Sequence, residues 1–215
     1  MPSRARKNFY GYPRRDVLAL IRMYRDMHPG PGRPSSILTR SGTFLLCAAW
    51  ELYCEEAALQ VAIDNILWAA DTPLKLPKAP RQMLATAVKN DKHELAALKL
   101  AGTGWKILFT DLVNKRVDEL NTPSCEKVVD LFADLCGVDL SDILGPVDEY
   151  LTRFILKRGE IAHRGANAGH VSIVDLEADY QFISRMVCEV DNALVNKVRV
   201  ITRARPWNVQ AQAVE

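Results

Sequence analysis

The stretch SILTRSGTFLLCAAWELYCEEAALQVAIDNILWAAD, residues 36–71, repeats apolar side chains every three or four positions. That spacing is the period of an amphipathic helix, and no proline interrupts it. Its one glycine, Gly42, lies near the start. The residues of the repeat include Phe44, Cys47, Ala48, Leu52, Ala58, Leu59, Ala62, Ile63 and Ile66. The sequence therefore predicts one long helix of about nine turns, with this apolar stripe on its buried side.

Helical periodicity also marks the chain on both sides of this stretch. Further helices are predicted over residues 16–28, 81–100, 105–120, 123–136, 147–158 and 175–201. The proline-rich residues 29–34 end the first of these, and Gly137 closes the helix that Thr122 and Pro123 begin as N-cap and first helical residue. Residues 159–170 are expected to form a loop. No alternating run is long enough to form a sheet, so the predicted fold is an all-α, antiparallel helical bundle.

The two ends of the chain differ from its centre. Residues 1–13 carry Arg4, Arg6 and Lys7 without any acidic residue, and their Tyr-Gly-Tyr-Pro sequence disfavours a regular element. We expect a basic, flexible arm that is either solvated or in contact with phosphates. Residues 14–205 are expected to form a single helical domain, and residues 206–215 a C-terminal tail.

Composition limits the function classes open to this chain. Its 215 residues are 48% hydrophobic and 25% charged, the balance of a soluble globular protein rather than a disordered or fibrous one. The net charge is only +2, so any nucleic acid must be met by a local basic patch. Five cysteines without a Cys-x-x-Cys pair indicate a reducing compartment. Because charges interrupt every apolar run, we expect a cytoplasmic protein without a signal peptide or a membrane span.

Motifs of several enzyme classes are absent from the sequence. There is no glycine-rich phosphate-binding loop of the kind found in nucleotide hydrolases or dinucleotide enzymes. The four histidines and five cysteines lack the spacings of zinc ligands. Sites with a serine or cysteine nucleophile leave no local signature, so the sequence neither supports nor excludes them. We expect no metal and no cofactor.

The segment KRGEIAHR, residues 157–164, is the strongest candidate for chemistry. Arg158 stands five residues before His163, and Lys157 and Arg164 flank the pair. Nearby glycines indicate an element boundary, where functional groups are often displayed. A cationic pocket with one histidine suits phosphate chemistry. The alternative is that both are ordinary surface residues at a helix end.

The chain resembles the HEPN superfamily, particularly its RiboL-PSP and MAE-type branches, in segments that follow the family's order. These are AAWELY at 48–53, LNTPS at 120–124, the helix and glycine at 128–138, and the R-x4-H motif at 158–163. The resemblance covers about residues 40–200. It departs at Gly159, where the family usually has asparagine, aspartate or histidine near the phosphate.

The resemblance implies a helical bundle that dimerises with its two motifs facing each other and cuts RNA without a metal. Arg158 and His163 inherit the catalytic roles. Glu51 would face the site from the long helix, or else serve as a buried or capping carboxylate. The residues that would bind RNA are Lys157, Arg164 and Arg153.

Reaction chemistry gives an independent reason for a dimer. RNA supplies its own nucleophile, the 2′-OH, so cleavage needs a base, an acid and a cation. One histidine cannot be base and acid in the same step, whereas a two-fold dimer brings two copies of His163 and Arg158 to one groove. We expect a homodimer that acts on RNA, including tRNA, as a toxin or phage-defence effector, with an antitoxin or sensor as a further partner. The alternatives are a non-catalytic HEPN module for RNA or nucleotide binding or for assembly, and an unrelated helical scaffold.

Overall fold

The described part of the chain is built from helices. The computed structural model describes residues 1–27 and 36–209. Its α-helices are α1 (Arg4–Gly11), α2 (Pro13–Met27), α3 (Ile37–Leu59), α4 (Lys78–Asn90), α5 (Gly104–Asp118), α6 (Cys125–Cys136), α7 (Ser141–Leu144), α8 (Asp148–Arg164) and α9 (Ile173–Thr202). These ranges contain no strand, so the all-α prediction is confirmed. None of their helices is long and apolar enough to span a membrane. The predicted break at residues 29–34 and residues 210–215 of the predicted tail lie outside the described residues.

The long helix α3 lies at the centre of the fold, in contact with α1, α2, α5, α6, α8 and α9. It continues over residues 60–67 in π-helical form, so the long predicted helix is present with a change of hydrogen-bond register. In this segment the Asn65 amide donates to the Gln60 carbonyl oxygen at 2.7 Å. Phe44 and Leu52, expected on the buried side, are instead 38% and 42% exposed. A helix with neighbours on several sides is apolar over much of its circumference, so periodicity alone misplaced these two residues.

The basic N-terminus is a packed helix, so the prediction of a flexible arm is wrong. Ser3 caps α1 by accepting a hydrogen bond from the Arg6 backbone N–H at 2.9 Å. The Arg6 side chain is buried, and its guanidinium nitrogen lies 3.8 Å from a carboxylate oxygen of Asp191 on α9. Phe9 is also buried. The buried Asp191 carboxylate balances the charge of Arg6, and this segment therefore packs on the bundle. The basic composition alone had predicted that it would be solvated.

The turn that precedes α6 is fastened to α3. Trp50 is fully buried, and its indole N–H donates to the Pro123 carbonyl oxygen at 3.0 Å. Helix α6 begins later than predicted, because Ser124 and not Thr122 is its N-cap. Thr122 has a φ of 55°, which does not suit an N-cap. Gly137 ends α6 in the left-handed conformation, as predicted, with a φ of 62°.

Helix α8, which packs on α3, carries the R-x4-H motif. The sequence predicted a loop from residue 159, but α8 runs through Gly159 to Arg164. A helix-interior glycine costs only about 1 kcal/mol, so a helix held by the buried Phe154 can continue past it. The connection to α9 is fastened to α3, because the Thr39 hydroxyl donates to the Val171 carbonyl oxygen at 2.8 Å.

Candidate active site

The arginine and histidine of the R-x4-H motif lie in the last two turns of α8. This helix ends at Gly165, whose φ of 52° is in the region that favours glycine. Five residues along a helix correspond to about 140° of rotation and about 7.5 Å of rise. Arg158 and His163 therefore leave α8 in different directions and do not share one face of a single subunit.

Arg158 is held against α3 by an aromatic contact. Its guanidinium carbon lies 4.8 Å from the centre of the Phe44 ring, within the range of a cation–π interaction. No hydrogen bond or ion pair joins this guanidinium to a residue in the described ranges. Its N–H donors are therefore available to an anion. Sequence reasoning missed Phe44 as a site residue, because an aromatic residue in an apolar stripe usually indicates core packing.

Glu51 and Arg158 both act on the thiol of Cys47. Burial raises the pKa of Cys47 to about 11, and the charge of Arg158 opposes this rise while that of Glu51 adds to it. Glu51 is half-buried and forms no hydrogen bond with the motif residues of the described chain. Its role at the site stays a prediction.

His163 is exposed in the last turn of α8, with no hydrogen-bonding partner among the described residues. Gly159 lies one turn earlier on nearly the same side, and a Cβ at this position would meet no atom within 4 Å. The surface beside the imidazole is therefore open to a ligand or to a second copy of the chain.

The three predicted RNA-binding cations lie in different environments. The ammonium of Lys157 pairs with the carboxylate of Asp179 at 2.7 Å, and the Tyr150 hydroxyl donates to the same carboxylate at 3.0 Å. Arg164 is exposed. Arg153 is exposed as well, with its guanidinium carbon 5.0 Å from the centre of the Tyr150 ring. Lys157 therefore has a structural partner, whereas the two arginines face solvent.

A second histidine lies beside the motif helix. His170 lines a small cavity of 100 Å³ together with Lys157, Glu160 and Asp175. The sequence gives no spacing signal for this histidine, because it lies in a connecting loop. The cavity contains charges of both signs and borders the residues between Arg158 and His163.

Exposed and half-buried apolar side chains adjoin the motif on the side of α3. Ile37, Phe44 and Leu45 of α3 and Ile161 of α8 line an open pocket of 530 Å³. We call these four residues the α3/α8 face. Ile37 is 62% exposed and Leu45 is 41% exposed. Contiguous exposed apolar side chains are typical of a surface that another molecule covers.

The chain matches the model of one known protein family. The family model described as RiboL-PSP-HEPN matches residues 15–196, a range that includes α3, α8 and the R-x4-H motif. The chain belongs to the RiboL-PSP-HEPN family. The resemblance drawn from the sequence is thus confirmed, and HEPN membership fits a ribonuclease or a nucleotide-binding module. No curated protein and no solved structure gives a significant match. Within the described ranges, no cluster of three or more His, Cys, Asp or Glu side chains is placed to hold a metal ion.

Proposed function

We propose that this HEPN protein is a metal-independent endoribonuclease with a composite site in a homodimer. The observation that carries the proposal is the state of Arg158, which rests on the Phe44 ring with its N–H donors unused by the described residues. An arginine held in this way is prepared to bind a phosphate, and the exposed His163 lies on the same helix end.

Cleavage would use the 2′-OH of the substrate as nucleophile. In the proposed mechanism His163 of one copy removes the hydroxyl proton, and the oxygen attacks the adjacent phosphorus. The second copy of His163 protonates the 5′-oxygen as its bond to phosphorus breaks. Arg158 stabilises the charge on the phosphorane. The products are a 2′,3′-cyclic phosphate and a free 5′-OH.

The α3/α8 face is the surface we assign to the dimer contact. Its apolar residues lie beside Arg158, so burying them against a second copy would bring two motifs to one groove. A two-fold axis through this groove supplies the two imidazoles that acid and base catalysis require. Arg158 and His163 point about 140° apart on one helix, so one copy would not present both side chains to the same phosphate. The partner copy would supply the second of the two groups.

We further propose that the biological substrate is cellular RNA, tRNA included. HEPN membership supports the role of a toxin or phage-defence effector that an antitoxin or sensor protein holds inactive. We place the protein in the cytoplasm, where such RNA is found.

One observation favours a second function. The residue after Arg158 is Gly159, which supplies no polar side chain to the open surface beside His163. A HEPN module with this gap would bind RNA or nucleotide, or mediate assembly, without cutting.

Cleavage of bulk tRNA and of single-stranded oligoribonucleotides tests the proposal. His163→Ala and Arg158→Ala should each abolish cleavage while helicity and dimer mass are unchanged, because His163 is exposed and Arg158 forms no hydrogen bond or ion pair with the described residues. His93→Ala and Arg81→Ala are matched controls, since both residues are exposed in the region of α4. Parental turnover in either motif variant would reject the assignment.

The metal and the nucleophile are tested with the same substrates. Activity should persist in EDTA, and a 2′-deoxy substitution at the cut position should block it, because the nucleophile is removed. Cleavage of DNA, or loss of activity on chelation, would contradict the proposed chemistry. Clean dimeric protein that binds RNA without cutting it would favour the non-catalytic module.

A further inference from the structure

An open groove of 710 Å³ lies between the start of α8 and the middle of α9, apart from the R-x4-H motif. Two arginines line it, Arg153 from α8 and Arg185 from α9, together with the aromatic residues Tyr150 and Phe182. Glu149 is the one carboxylate among its described lining residues, so the two guanidinium groups outnumber it. The described lining side chains therefore carry one net positive charge, in a chain whose net charge is close to zero.

The aromatic pair holds both arginines in place. The rings of Tyr150 and Phe182 pack with centres 4.1 Å apart at an angle of 32°. The Arg153 guanidinium carbon lies 5.0 Å from the Tyr150 centre, and that of Arg185 lies 5.8 Å from the Phe182 centre. Phe182 is buried, and the Tyr150 hydroxyl is fixed by its hydrogen bond to Asp179. The two guanidinium groups consequently rest on a rigid support.

Most N–H donors of these arginines have no partner in the described protein. Arg153 forms no hydrogen bond or ion pair there. Arg185 uses only its Nε, which lies 3.8 Å from a Glu189 carboxylate oxygen, and both of these side chains are about half exposed. Planar guanidinium groups held over aromatic rings with most of their N–H donors unused are suited to phosphate oxygens, although Arg185 is paired in part with Glu189.

We propose that this groove binds the phosphate backbone of the single-stranded RNA that the R-x4-H motif cleaves, a proposal that rests on the function proposed above. A phosphate ester could also come from a free nucleotide, but the layout favours a strand. Arg153 and His163 are both exposed on α8 and are ten residues apart, which corresponds to about 15 Å along the helix axis. The same ten residues leave the two side chains about 80° apart around the axis, so a strand leaving His163 would cross α8 obliquely to reach the groove, whereas a mononucleotide would occupy only one end.

Binding of a fluorescein-labelled 12-nucleotide oligouridylate, measured by anisotropy between 50 and 200 mM salt, tests the groove. All proteins carry His163→Ala, so that the probe stays intact. Arg153→Ala with Arg185→Ala should weaken binding about tenfold at the lowest salt, and should reduce the slope of log affinity against log salt by about 1.4, or about 0.7 for each lost phosphate contact. Arg81→Ala on α4 should change neither quantity.

Further measurements distinguish the loss of positive charge from damage to the fold, and the binding of a strand from the binding of a single nucleotide. Replacing both arginines by lysine should keep the salt slope, because each ammonium still neutralises a phosphate. The matching oligodeoxynucleotide should show the same arginine-dependent loss, since the proposed contacts are to phosphate. An unchanged slope in the double alanine variant would overturn the proposal, as would uridine monophosphate binding as tightly as the 12-mer.

Failure of the groove and failure of the proposed function give different results. If the parent protein cuts RNA and the double variant keeps the parental salt slope, the groove proposal is rejected and the nuclease proposal stands. If the parent protein does not cut RNA but the salt slope depends on the two arginines, the phosphate-binding groove stands and the nuclease proposal is rejected.

Discussion

Replacing Gly159 by alanine should stabilise the protein. Gly159 lies inside α8, and an added Cβ would meet no heavy atom within 4 Å. Because alanine loses less backbone entropy on folding, the gain should be about 0.5–1 kcal/mol. For a domain of this size that corresponds to a rise in Tm of about 1–4 °C. Calorimetry or thermal circular dichroism at fixed protein concentration measures it.

Gly159→Asn adds a hydrogen-bonding group at the same position. Residue 159 lies one turn before His163, so an amide there is placed to contact a bound phosphate. A hydrogen bond to a charged group contributes about 1.5–3 kcal/mol, so cleavage should increase about tenfold or more over Gly159→Ala. The alanine variant is the matched control because it fills the space without supplying a donor. A lower Tm in the alanine variant, or equal cleavage by both variants, would refute this reasoning.

Three further outcomes follow from buried groups. Trp50→Phe should destabilise the fold by about 1–3 kcal/mol in urea unfolding, because the buried Pro123 carbonyl loses its donor; an unchanged midpoint would contradict the role of this bond. Burial raises the pKa of the Asp191 carboxyl despite the opposing charge of Arg6, so folding favours its protonated form. The unfolding free energy of the parent relative to Asp191→Asn should therefore increase as pH falls from 7 towards 4, and the opposite trend would reverse the sign of the pKa shift. All five cysteines are free and buried, and burial raises the pKa of Cys47 to about 11, so Ellman's reagent should react slowly with native protein and with five thiols after denaturation.

Local sequence signals predicted much of the helical framework. The 3.6-residue period predicted α3 and α9, and Gly137 was correctly predicted to end α6. The failure at the N-terminus has a physical cause. Arg6 is buried because Asp191, far along the chain, faces it, and no local pattern reveals such a partner. Gly159 shows a related error, since the packing of Leu151 and Phe154 earlier in α8 outweighs the low helix propensity of one glycine.

The motif residues were predictable, but their environment was not. Arg158 and His163 stand out by their basic context and by family resemblance, and the structure places both at the end of α8. The ring that supports Arg158 belongs to Phe44. Phe44 has the spacing of a core residue, so periodicity does not reveal that it is partly exposed. The pairing of Lys157 with Asp179 also depends on a contact between helices that the sequence does not encode locally.

The dependence of cleavage on the fraction of active subunits tests the composite site most directly. Parent protein and the His163→Ala variant are mixed in equal amounts, unfolded and refolded together, and assayed on RNA at fixed total concentration. If each site needs His163 from both copies, only dimers of two parent subunits are active, and random pairing leaves about one quarter of the parental rate. A rate of about one half would show that each subunit acts independently and would contradict the account.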